Sequence, residues 1–130
     1  MREESLRHGA LGWVELMTTD VKAAKKFYTS IFGWETEKAP MEGMEYTMVK
    51  VGGEAVGGVM QAPAECEGQP PCWHIYVTVD DVDATAKKVK AHGGKVLRAP
   101  EDIPGVGRFC VIQDPQGGVI SAISYVREQA

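Results

Sequence analysis

The sequence lacks the features that would send a chain to a membrane or to nucleic acid. No apolar run approaches the roughly 20 residues a bilayer helix needs. No basic cluster stands out against a net charge of −4, so nucleic acid and anionic membranes are poor partners. Cysteine is scarce: Cys66, Cys72 and Cys110 are odd in number and form no CxxC. That usage suits reduced thiols rather than a disulfide framework, and nothing in the pattern marks one of the three as an activated thiolate. Histidine is scarcer in useful arrangements, because His8, His74 and His92 form no HxxxH or HxxE pattern. The opening "MREESLRHG" has no apolar secretion segment, and a cytoplasmic protein is expected.

What is present describes a packed domain. At 130 residues, 44% of them hydrophobic and 25% charged, the chain suits one domain that buries about two thirds of its unfolded surface. It is also written twice. A shift of 61 residues lays Trp13 on His74, Asp20 on Asp81, Val21 on Val82, Ala23 on Ala84, Lys26 on Lys87 and Gly33 on Gly94.

Each copy reads as a strand, an acidic helix start, one helix and a glycine stop. Thr19 or Asp20 opens the first helix, and Asp80 or Asp81 the second, since these side chains accept from first-turn amides. Val21, Ala24, Tyr28 and Ile31 recur at helical spacing, as do Val82, Ala86 and Val89. Three short strands follow each helix, near 34–37, 46–51 and 54–61, then near 95–98, 108–113 and 119–126. "VGGE" and "DPQGG" supply turns. The expected fold is α+β, two βαβββ modules over about 10–62 and 72–127 with a linker at 63–71, forming a single domain over 1–130.

Strand alternation then sorts the faces. Val14 and Leu16 suit packing under the first helix, leaving Trp13, Glu15 and Met17 opposite. Ile75, Val77 and Val79 suit the second helix, leaving His74, Tyr76 and Thr78 opposite. Ile120 and Ala122 lie on the helix side, with Ser121 and Ile123 on the other. A face of aromatic and apolar groups with a few polar ones is the usual lining of a small-molecule cavity.

With "GWVELMTTDVKAAKKFYTSIFGW", "PPCWHIYVTVDDVDATAKKVKAHGG" and "PGVGRFCVIQDPQGG" in place, the chain resembles the vicinal oxygen chelate superfamily, which contains glyoxalase I, bleomycin-resistance proteins and extradiol dioxygenases. The resemblance covers nearly the whole chain. It implies paired βαβββ modules whose curved sheets enclose a cavity, a homodimer, and, in catalytic members, a metal ligand on the first and last strand of each module. Those four places fall on Trp13, Gly58, His74 and Ser121. An indole N–H only donates, glycine offers nothing, and a serine hydroxyl is a poor ligand beside carboxylate or imidazole. A catalytic zinc needs about three protein ligands, so His74 is the one retained candidate and no metal cofactor is expected.

The reading that results is a binder of a small hydrophobic or aromatic molecule. Trp13, Met17, Tyr76, Ser121 and Ile123 are its candidate contacts, with Arg108 in the glycine-rich "PGVGR" at the rim for an anionic group. Glu15 and His74 are the candidate catalytic pair, a base with its orienting partner. Two other classes stay open: a metal-dependent lyase or dioxygenase, and a metal-free isomerase or lyase with Glu15 as base. Met41, Met44, Met48 and Met60 suit core filling or an adaptable pocket wall.

Overall fold

The computed structural model describes residues 3–39, 45–63 and 69–126. Met41, Met44, Cys66 and most of the expected linker therefore lie outside the described residues. The chain divides into two compact units, one running Trp13–His74 and the other joining Glu3–Gly12 to the chain from Ile75 onward.

The first unit takes most of strand β1 (Leu11–Thr18), helix α1 (Val21–Phe32), β2 (Glu35–Lys38), β3 (Tyr46–Val51) and β4 (Glu54–Gln61). Its strands lie in the order β2-β3-β4-β1. β1 runs parallel to β4 while β3 is antiparallel to both β2 and β4. The second unit takes most of β5 (Cys72–Thr78), then α2 (Val82–Ala91), β6 (Lys95–Ile103), β7 (Gly107–Gln113) and β8 (Val119–Tyr125). Its order is β5-β8-β7-β6, with β5 parallel to β8 and the other pairs antiparallel. Both units are βαβββ, as the repeat implies.

Local chemistry accounts for the helix boundaries. Of the paired cap candidates, Asp20 and Asp81 are the caps: both are extended, and their carboxylates accept from the amides of Ala23 and Ala84. Gly33 closes α1 at φ 69°, which a side chain would resist, and its N–H reaches the Thr29 carbonyl. In the second copy His92 is the cap and Gly93 takes the left-handed conformation one residue later.

Two small cores hold the helices. Leu16, Val49 and Val59 are buried beneath Val21, Ala24, Tyr28 and Trp34, and Val82, Ala86 and Val79 close over Cys110 and Ala122. The expected stripe on α1 is shorter than its spacing suggests. Ile31 is 52% exposed and α1 has no fully buried residue; Val21, Ala24 and Tyr28 are the helix residues that pack on the core. β6 runs five residues past its expected end, to Ile103. Pro100 is tolerated there because β6 is an edge strand whose register shifts twice along β7.

Candidate functional site

In the first unit, Leu16, Val49 and Val59 face α1, so their strand neighbours face away from it. That opposite face carries Trp13, Glu15 and Met17 from β1, Tyr46 and Met48 from β3, and Gly58 and Met60 from β4. Register places Glu15 beside Gly58, Met17 beside Met60, and Met48 across from Gly58. Glu15 is 5% exposed. A carboxylate so deeply placed needs polar partners, and Glu15 has them.

Tyr46 organises this face, and it was not among the residues expected from sequence. Trp13 Nε1 donates to its hydroxyl at 2.8 Å. A Cβ built on Gly58 would fall within the Tyr46 ring and hydroxyl, so the ring lies where a side chain at 58 would stand. A glycine inside a strand marks close approach by another group. The Gly57-Gly58 pair in β4 was therefore a legible signal, although it did not say which group approaches.

β5 shows an unexpected pairing. Trp73 turns to the helix side, meeting Tyr28 and Trp34 edge-on at centroid distances of 5.3 and 6.2 Å. Cys72 and His74 consequently share the opposite side of the strand, and Cys72 Sγ lies 3.1 Å from His74 Nε2. His74 thus meets a thiol.

In the second unit, Tyr76, Thr78, Ser121 and Ile123 are all buried. Tyr76 is in register with Ser121 and Thr78 with Ile123, and the Tyr76 ring lies 6.4 Å from that of Phe109. Arg98 stands over the Phe109 ring at 5.2 Å. The Thr78 hydroxyl donates to the Ser5 carbonyl, which ties residues 3–10 to this strand. Alternation and side-chain contacts therefore bring Tyr76, Ser121 and Ile123 together within one unit.

Arg108 lines an open cavity of the second unit with Gly105, Ser124 and Tyr125. It alternates with Phe109 and lies on the α2 side, where Nε and Nη2 grip Asp83 at 2.9 and 3.1 Å and Nη1 reaches Asp102 at 3.1 Å. Hydrogen bonds donated to Asp83 and Asp102 hold the guanidinium well above its ordinary pKa, and Arg108 in turn holds the Asp83 carboxyl below the usual range. Two carboxylates already neutralise this cation, leaving little attraction for an anionic ligand.

The donors can now be tested against a metal centre. Trp13 directs its N–H to Tyr46, the space at Gly58 is filled by a phenol ring, and His74 meets a cysteine. Among the described residues no three His, Cys, Asp or Glu side chains gather. These residues do not fit a centre that needs about three protein ligands.

A family model, the Glyoxalase/Bleomycin resistance protein/Dioxygenase superfamily, matches residues 10–121. The chain belongs to that superfamily. Among its relatives is the Mycobacterium bovis protein named "Putative glyoxylase CFP32", 43% identical over 122 residues, which are 92% of this chain and 47% of the relative. The anthracycline biosynthesis protein DnrV of Streptomyces peucetius is 32% identical over 126 residues, 87% of this chain and 46% of that one. The chain thus spans about half the length of these curated relatives. A solved methylmalonyl-CoA epimerase from Mycobacterium tuberculosis superposes with a TM-score of 0.64 at 19% identity, over 98% of this chain and 94% of the other. That likeness establishes the shared fold. The expected α+β architecture and the vicinal oxygen chelate resemblance both hold. Among the described residues no helix is long and apolar enough to cross a membrane.

Proposed function

We propose that this glyoxalase-like protein binds a small, flat, hydrophobic or aromatic molecule on the first unit's sheet face away from α1, and does so without the divalent metal of catalytic superfamily members. The observation that carries the reading is the composition of that face. One buried carboxylate, Glu15, stands in a row with Trp13, Met17, Tyr46, Met48 and Met60. Aromatic rings and thioethers favour a flat apolar ligand, with stacking worth about 0.5–1.5 kcal/mol beyond area burial. The sign of the buried charge decides between ligand classes. A buried carboxylate repels an anion, and the lysine that alternates onto the same face, Lys50, is already paired with Glu37, so a neutral or cationic molecule with a hydroxyl or amine for Glu15 is favoured. A relative named for anthracycline biosynthesis agrees, since anthracyclines are fused-ring aromatic compounds.

Tryptophan fluorescence titration with naphthol and with naphthoate tests this. Naphthol quenches the native protein, Trp13→Phe loses most of that quenching, and naphthoate binds at least about tenfold more weakly. Equal binding of the two compounds, or a stoichiometric divalent ion in purified protein, would overturn the reading.

A second reading rests on the depth of Glu15. A buried carboxylate on a ligand face can take a proton next to a carbonyl, the chemistry of an isomerase or lyase. It requires Glu15→Gln to bind ligand and lose turnover. Homodimerisation belongs to the same proposal. Phe27, Ile31 and Phe32 of α1 are more than half exposed, an apolar patch that a second copy would cover. Light scattering that gives a strict monomer at micromolar concentration would contradict it.

A further inference from the structure

We propose that Cys72 and His74 form a nucleophilic dyad that captures conjugated carbonyl compounds covalently. Cys72 is exposed and His74 is partly exposed, so a small electrophile can reach the sulfur. The 3.1 Å separation puts the imidazole within proton-transfer distance of the thiol. The intervening Trp73 is pinned against Tyr28 and Trp34, and this fixes the strand's alternation so that both groups stay on one side. Cys110 supplies an internal contrast. It is fully buried in the second core, and desolvation pushes its thiol pKa up, which makes it inert toward reagents in solution.

The chemistry balances without a further reactant. In the tautomer with its proton on Nδ1, His74 Nε2 accepts the thiol proton as the sulfur lone pair attacks the β-carbon of an α,β-unsaturated ketone. An S–C bond forms, the C=C π pair moves toward the carbonyl to give an enolate, and the imidazolium returns the proton to the α-carbon. The net result is addition of S–H across the double bond, with nothing oxidised or reduced. The electrophile class follows from two features, a soft sulfur nucleophile and the flat aromatic ligand proposed for the same unit. To that extent the inference rests on the proposed function.

The test is intact-protein mass spectrometry of the native chain with benzalacetone, using its saturated analogue benzylacetone as the control. The expected result is a single adduct that maps to Cys72, forms at least about tenfold faster than on N-acetylcysteine at the same pH, and is absent with benzylacetone. His74→Gln slows it by about tenfold or more, with an unchanged melting temperature. Cys72→Ser abolishes it. Labelling of Cys66 or Cys110 ahead of Cys72, or a His74→Gln rate equal to the native one, would overturn the dyad. Naphthol binding to the native chain separates the two proposals: bound naphthol with no adduct refutes the dyad alone, and an adduct without naphthol binding supports the dyad and refutes the ligand face.

Discussion

The contact between Gly58 and Tyr46 offers a quantitative test, because adding one methyl group should disturb the whole ligand face. In Gly58→Ala the new Cβ has no room: it meets the hydroxyl, Cζ and Cε1 of a tyrosine that is 8% exposed. Tyr46 must move. Overpacking of this kind costs about 1–3 kcal/mol, and losing the Trp13–Tyr46 hydrogen bond adds about 1 kcal/mol. Replacing glycine returns about 0.5–1 kcal/mol of chain entropy. The net destabilisation is about 1–3 kcal/mol, or a melting temperature lower by roughly 4–11 °C for a domain of this size. Urea unfolding followed by circular dichroism measures it. The decisive version is a double-mutant cycle with Tyr46→Leu, whose side chain ends short of the clashing atoms. In that background Gly58→Ala should be nearly neutral, giving a coupling of about 1–3 kcal/mol. A Gly58→Ala protein within about 0.5 kcal/mol of native, or the same cost in both backgrounds, would refute the placement of Tyr46. The cycle also bears on metal chemistry: a glutamate introduced at Gly58 should gain no affinity for a divalent ion until Tyr46 is shortened as well.

Other expectations concern separate parts of the molecule. Prolonged EDTA treatment should leave the melting temperature unchanged, and a chelator-sensitive melt by differential scanning fluorimetry would count against metal-free binding. Asp114 accepts from the amides of Gly118 and Gln116 in the "DPQGG" turn, bonds that hold its pKa below the ordinary carboxylate value. A depressed folded-state pKa gives stability that is complete above the unfolded value near about 3.9 and is lost as pH falls through the folded value. Asp114→Ala should therefore be less stable than native at neutral pH, with the difference shrinking below about pH 4 in urea titrations. Asp20→Ala removes the acceptor for the Ala23 amide and should cost about 1 kcal/mol in chemical denaturation, whereas Thr19→Ala should cost little.

Much of the architecture was legible because it depends on neighbours a few residues apart. The acidic caps, the glycine stop after α1 and the alternation of Leu16 with Glu15 are local properties that recur 61 residues later, so the paired βαβββ modules could be read directly. The cysteine–histidine pair was legible too. In "CWH" the first and third residues of a strand share a side, although nothing in the sequence marks Cys72 as an activated thiolate. Ile31, at 52% exposed, shows the limit of helical spacing, which reports the face a residue lies on and not how deeply it is covered.

By itself the sequence determined the repeated modules, the family and the apolar character of the face on which Glu15 lies. Tertiary structure decided what that face contains. Tyr46 and Gly58 are 12 residues apart on different strands, and Asp83 and Arg108 are 25 apart, one on a helix and the other on a strand. Alternation names the side to which a residue belongs, while strand register and side-chain length fix which groups meet there. Those two quantities gave Arg108 its ion pairs and put a phenol ring where a side chain at 58 would have stood.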